Sequence, residues 1–234
     1  MTPFVLSITK FVAFGDSFTE GQNGRTGIRG ERFVDVPNAY PTQLQRLLNV
    51  EYPGQSIVVS NQGVGGEGIE VGLERLPGVL SRARAEALLL LEGYNNLLQE
   101  CRPADVAKPG CLREIDRIAT AMTQCIRIAR TPSFGIKYIF VSTLTPPGPF
   151  VSIPDRRIAP EAIVQTNSRL SAVVRAEGAI LVDPYPAFVG HEAAYVDDDG
   201  LHLRPAGYQV LADTFFSAIK KSVASSLLPD RWTY

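Results

Sequence analysis

The sequence predicts an α/β fold: a three-layer α/β/α domain over residues 1–234, with a parallel sheet of five strands between helices. Short apolar runs rich in Val, Ile, Leu and Phe alternate with longer segments of helical character along the whole chain, the pattern of βαβ units. Three of those runs stop at Gly, Asn or Asp, residues that suit turns. Hydrophobic residues make up 45% of the 234, enough for a sizeable core without a metal or a set of disulfides. No internal repeat or low-complexity segment interrupts the pattern.

The elements follow in order. A strand over 9–14 (Phe11-Val12-Ala13-Phe14) ends at Gly15-Asp16-Ser17, and a helix is expected over 38–49. A strand over 56–60 runs into Asn61-Gln62-Gly63-Val64-Gly65-Gly66, followed by a helix over 67–82. The run Ala87-Leu88-Leu89-Leu90-Leu91 gives a strand over 86–91 that ends at Gly93 and Asn95, before a helix over 113–130. Strand 137–142 is rich in β-branched and aromatic residues. The helix over 159–177 has Pro160 near its first position, where proline is tolerated, and stops at Gly178. A strand over 179–182 and a helix over 205–225 complete the chain, so that His202 sits just before a helix N-terminus.

Ser17 is the first candidate for chemistry. A serine at the end of a strand presents its hydroxyl where ligands bind in open α/β sheets, although Gly-Asp-Ser is also ordinary turn composition. A serine hydroxyl is a weak nucleophile unless a base and an orienting group stand beside it. Asp199-Gly200-Leu201-His202 supplies both types three residues apart, with Gly200 available for an unusual backbone angle. The other histidine, His191, has no such neighbourhood and reads as a surface or structural residue.

Acyl transfer builds negative charge on the carbonyl oxygen, and donors aimed at that charge usually accelerate the reaction more than any other single effect. Two segments offer such donors. Gly66 can present a backbone N–H without side-chain obstruction, and Asn95 a side-chain amide. The glycine turn lacks the Lys-Ser/Thr ending of a P-loop. Either segment alone is also an ordinary loop.

These four pieces, in this order, resemble the SGNH hydrolases, the GDSL esterase/lipase family. The resemblance covers residues 10 to about 225. It implies a strand order of 2-1-3-4-5 and makes Ser17, Asp199 and His202 a catalytic triad. It also assigns the oxyanion donors to the Ser17 and Gly66 backbone N–H groups and the Asn95 amide. One departure is visible: the third block often reads Gly-x-Asn-Asp, and Asn96 stands here in place of the Asp. The resemblance implies a serine esterase acting on short acyl esters, including acetyl groups on carbohydrate. Lysophospholipase and thioesterase activity share the same motifs, and a non-catalytic carbohydrate- or lipid-binding module would share the fold.

Lys plus Arg is 23 against 24 for Asp plus Glu, which argues against a nucleic-acid partner. No apolar run approaches the roughly 20 residues of a membrane span. The partner expected is a small-molecule or carbohydrate ester, with no cofactor. Three scattered cysteines have no metal-ligand spacing, so no metal is expected either. A nucleotide-binding reading of Gly63-Val64-Gly65-Gly66 lacks an acidic ribose partner.

The segment from Gly21 to Arg32 carries Arg25, Arg29 and Arg32 beside the candidate nucleophile, and a guanidinium fork suits an anionic or hydroxyl-rich substrate. A solvated loop is the plainer reading. A second insertion, Thr143 to Pro154, is rich in proline, bears Phe150, and is expected to wall the substrate pocket. Cys101 and Cys111 bracket a short turn-rich stretch that a disulfide can close, whereas Cys125 reads as a buried apolar residue. A disulfide implies an oxidising compartment. Lys10 interrupts the apolar start and no small-residue cleavage site follows, so no signal peptide is legible. The reading favours a secreted or periplasmic protein whose export signal has been trimmed, and otherwise a cytoplasmic one.

Overall fold

A computed structural model describes residues 4–26, 32–149 and 157–226. The first half runs through β1 (Phe4–Leu6), β2 (Lys10–Gly15), α1 (Ser17–Glu20), β3 (Gln22–Thr26), β4 (Arg32–Val34) and α2 (Tyr40–Glu51). It continues with β5 (Val58–Gly63), α3 (Ile69–Ala83), β6 (Ala87–Leu91), α4 (Tyr94–Glu100) and α5 (Pro109–Ala129). The second half holds β7 (Tyr138–Ser142), α6 (Pro160–Glu177), β8 (Ile180–Val182), α7 (Tyr185–Phe188), α8 (Glu192–Tyr195), α9 (Pro205–Val223) and β9 (Ala224–Ser226).

Five strands pair in parallel in the order β5-β2-β6-β7-β8, which is 2-1-3-4-5 for the five expected strands. The central strand β6 is buried along its whole length, as a strand covered on both faces must be, and its Ala-Leu-Leu-Leu-Leu run reflects that. Helices cover both faces of the sheet. On one, α2 packs on α9; on the other, α5 packs between α3 and α6. In the register, Gly15 lies opposite Gly63 on one side and Leu91 on the other. The C-terminal ends of β2, β5 and β6 are therefore level, and their following loops emerge side by side. No helix among the described residues is long and apolar enough to cross a membrane.

Several boundaries differ from the sequence reading for local reasons. The strand expected over 56–60 lies at Val58–Gly63, because pairing with β2 continues through polar Asn61 and Gln62 after the apolar run has ended. Helix α5 starts four residues earlier than the expected 113, at Pro109: proline is tolerated in the first helical turn, so Pro109-Gly110 opens the helix instead of a turn. The arginine-bearing segment contains an antiparallel hairpin, β3–β4, in place of a plain loop. A second antiparallel pair, β1–β9, joins the two ends of the described chain.

Candidate active site

Ser17 is the first residue of α1, directly after β2, and is buried. Asp16 caps that short helix by accepting the Phe18 N–H at 3.0 Å. The ring of Phe18 stacks on Tyr94, with centroids 3.8 Å apart, and lies 5.8 Å from the His202 ring. The aromatic packing thus seats the Ser17 turn against both the β6 exit and the histidine.

Ser17 Oγ lies 2.9 Å from His202 Nε2, and His202 Nδ1 lies 2.6 Å from Asp199 Oδ2. All three residues are buried. Asp199 Oδ1 also accepts the backbone N–H groups of Leu201 and His202, at 3.0 and 2.9 Å. Burial pushes its carboxyl up, but the His202 hydrogen bond and charge together with those backbone donors outweigh it, leaving Asp199 below the usual carboxylate range. An ionised Asp199 can only accept, so Nδ1 carries the proton and Nε2 is left to accept the Ser17 hydroxyl. Such a chain can move a proton from serine to imidazole.

The neighbouring acids do other work. Asp198 pairs with Arg204 at 2.7 Å. Asp197 also reaches Arg204, at 3.3 Å, and accepts the Gly24 N–H at 3.0 Å. Only Asp199 of the three faces the His202 ring among the described contacts.

Gly66 and Asn95 border the same cleft as Ser17 and His202. Gly66 has φ of +83°, in the left-handed region that a side chain would resist. The Asn95 amide donates one hydrogen to the Glu67 carbonyl at 2.8 Å, leaving its second free to serve another acceptor. Asn96, the departure from the family pattern, accepts the Ile69 N–H at 3.0 Å at the start of α3 and donates to Glu70 at 2.8 Å.

Beneath this floor lies a buried acidic group that the sequence reading missed. Glu67 is held by Arg75 through two contacts of 2.8 and 2.5 Å, and the Arg75 guanidinium sits 4.1 Å over the Phe14 ring. Glu92 is buried with both carboxyl oxygens unpartnered among the described residues, as is one oxygen of Asp16. Burial, with the negative charges of Asp16 and Glu67 nearby, pushes Glu92 well above the carboxylate range. Burial and the Glu67 charge outweigh the Phe18 and Tyr94 backbone N–H groups and push Asp16 up to about 7.

Other expected residues fall elsewhere. Arg25 is exposed on β3 and does not line the cleft. Arg32 pairs with Thr26 through its backbone; its side chain, and all of Arg29, lie outside the described residues. Of the second insertion, Pro147, Gly148 and Pro149 line a neighbouring depression of about 230 Å³ with Gly200, not the Ser17 cleft. The expected wall is corrected to that extent: the Gly148 N–H bonds to the Gly200 carbonyl at 2.9 Å, which holds this segment behind the histidine loop. Phe150 and Pro154 lie outside the described residues. His191 is exposed beside Tyr195. Cys101 and Cys111 are joined by a disulfide across the α4–α5 junction, and Cys125 is a buried free thiol.

Three cleft residues were not singled out in the sequence: Gln22, Leu98 and Leu201. Leu98 follows Asn95 by about one helical turn and Leu201 precedes His202, so both inherit their position from a named neighbour. Gln22 had no such signal, because it lies in a Gly- and Arg-rich segment and belongs to no motif. Among the described residues no cluster of three or more His, Cys, Asp and Glu is arranged to hold a metal ion.

A serine, a histidine and an aspartate thus stand in hydrogen-bonded series at the C-terminal edge of a parallel sheet in an α/β/α fold. The match to the model of the GDSL-like lipase/acylhydrolase family runs over residues 13–210, and the chain belongs to that family. It is accordingly a carboxylic ester hydrolase. Among solved structures it resembles a lipase/acylhydrolase from Enterococcus faecalis, at 20% identity and a TM-score of 0.68, covering 92% of this chain and 97% of that one. It also resembles an acetylxylan esterase from Geobacillus stearothermophilus, at 19% identity and a TM-score of 0.68, with 94% and 96% covered. A third is an alpha/beta hydrolase from the metagenome of Lake Arreo, Spain, at 18% identity and a TM-score of 0.64, with 94% and 98% covered. Comparison with curated protein sequences gave no match.

Proposed function

We propose that the protein is a serine esterase for short acyl esters, acetyl groups on carbohydrate among them, working through Ser17, His202 and Asp199. The observation that carries this reading is the unbroken series from Ser17 Oγ to His202 (2.9 Å) to Asp199 (2.6 Å) at the mouth of a cleft. In the proposed cycle His202 Nε2 takes the Ser17 proton as Oγ attacks the ester carbonyl carbon. The oxyanion is held by the backbone N–H groups of Ser17 and Gly66 and by the Asn95 amide. The tetrahedral adduct collapses, the alcohol leaves with the proton from His202, and the acyl group stays on Ser17. Water, deprotonated by His202, then attacks the acyl-enzyme; its collapse frees the acid and returns the proton to Ser17.

Cleft size supports a short acyl group. Its volume is about 100 Å³, with Leu98 and Leu201 as the apolar walls. An apolar cavity of ~150 Å³ holds a benzene molecule, so this one suits acetyl or propionyl better than a fatty chain. The acetylxylan esterase of Geobacillus stearothermophilus gives the same direction, and a catalytic mutant of that enzyme carries a serine-to-alanine change.

Hydrolysis of p-nitrophenyl esters from acetate to palmitate, by the native protein and Ser17→Ala, tests both parts. Activity greatest on acetate or propionate and abolished in Ser17→Ala is expected. Equal rates in the two proteins would end the serine mechanism, and an optimum at long chains would end the short-acyl reading.

A further inference from the structure

We propose that Gln22 is the anchor for a hydroxyl group on the alcohol half of the substrate, and so sets a preference for esters of polyols over simple alkyl or aryl esters. The inference rests on the esterase reading above and adds the chemistry of the leaving group.

Gln22 is only 3% exposed, yet it borders the cleft that holds Ser17 and His202. Its main-chain carbonyl accepts the Tyr208 hydroxyl at 2.5 Å, and the residue lies opposite Val34 across the hairpin. Its side-chain amide makes no hydrogen bond among the described residues, and neither amide atom is sealed from solvent. A buried residue whose polar end is open can meet solvent only through the space it borders. Open to the cleft and without a protein partner, the amide is available to a group bound there.

The neighbours of Gln22 fix which half of the ester it meets. Gln22 and Gly24 lie two residues apart on β3, and both are tied to the elements around His202. Gly24 lies so close to the histidine loop that a Cβ there would stand 2.7 Å from the Asp197 side chain and 3.0 Å from that of Asp199. Its N–H is bonded to Asp197 at 3.0 Å, and Tyr208 holds Gln22 from α9, the helix that follows His202. Gln22 is thus fastened to the His202 side of the cleft, while Gly66 and Asn95 belong to the loops after β5 and β6. His202 must hand its proton to the departing alcohol, so the alcohol lies on its side. An amide offers one donor and one acceptor face with no net charge, which matches a hydroxyl and not a carboxylate or phosphate.

The test uses two acetates that differ by one hydroxyl: cyclohexyl acetate and trans-2-hydroxycyclohexyl acetate, with p-nitrophenyl acetate as reference. The native protein should favour the hydroxylated ester, and Gln22→Leu should lower kcat/KM on that ester by ~5–100-fold more than on cyclohexyl acetate. Equal losses on both, or no loss on either, overturn the assignment. A measurement on the unaltered protein stands beside the variant: trans-cyclohexane-1,2-diol should inhibit p-nitrophenyl acetate hydrolysis more strongly than cyclohexanol, and equal inhibition overturns the assignment too. A native protein inactive on all three acetates would instead sink the short-acyl esterase reading, and the role of Gln22 with it.

Discussion

The side-chain amide of Asn95 donates to the main-chain carbonyl of Glu67 at 2.8 Å, tying the exit of β6 to the turn that carries Gly66. The same side chain that is proposed to meet the oxyanion also fixes the backbone of its fellow donor. Asn95→Ala should therefore lower kcat by at least the ~10²–10³ typical of one lost oxyanion donor. KM should change far less. Steady-state kinetics on p-nitrophenyl acetate decide it: a kcat within a factor of three of the native value removes Asn95 from the mechanism.

Asn96 gives a prediction against the family pattern. Its Oδ1 accepts the Ile69 N–H at 3.0 Å, and its Nδ2 donates to Glu70 at 2.8 Å and approaches Glu114 at 3.4 Å. Asn96→Asp keeps the acceptor but loses the donor, and sets a third carboxylate between two others. That change should destabilise the fold by ~1–3 kcal/mol at pH 7. Adding Glu70→Gln should recover much of the loss. Urea unfolding of both variants measures it, and an Asn96→Asp protein as stable as the native one would refute the account.

The difference between Asn95 and Asn96 shows how far the sequence could be read. The placement of the motif residues was legible because each stands shortly after an apolar run: Ser17 after β2, Gly66 after β5, Asn95 after β6. The sheet was legible because a strand covered on both faces has to be apolar, as β6 is. Partners that depend on tertiary approach left no local trace. The hairpin β3–β4 lies in a Gly- and Arg-rich stretch that resembles a solvated loop, and it is ordered by Asp197 and Tyr208 from the far end of the chain. Nothing in the sequence marks Glu92, and only its burial beside Asp16 and Glu67 makes it unusual.

The Cys101–Cys111 bond closes a sequence separation of 10 residues at the junction of α4 and α5. In the chain-entropy description a loop of that size contributes ~2–3 kcal/mol by restricting the unfolded chain. The Cys101→Ala/Cys111→Ala variant should lose about that much in urea unfolding, and dithiothreitol should bring the native protein to the same midpoint. Thiol titration under denaturing, non-reducing conditions should find one free thiol, that of Cys125. Three free thiols, or a reductant without effect, would contradict the bridge.

Asp16 gives the fold a pH dependence opposite to that of most carboxylates. Its folded-state value of about 7 lies above the unfolded one near 3.8, so between those limits the folded protein holds a proton that the unfolded chain releases. Stability then falls as pH rises through the window from about 4 to about 7, and the full penalty persists above it. Glu92 is pushed in the same direction and adds to the slope. The positively charged group facing this cluster, Arg75, is already engaged by Glu67 and by the Gln62 carbonyl. Asp16→Asn keeps an oxygen to accept the Phe18 N–H but cannot ionise. Its melting temperature should exceed the native one by roughly 10 °C at pH 8, and by less than about half of that at pH 5. Thermal unfolding at the two pH values tests the sign directly. A gap that widens toward low pH would mean that Asp16 is held ionised in the folded protein, as a simple helix cap would be.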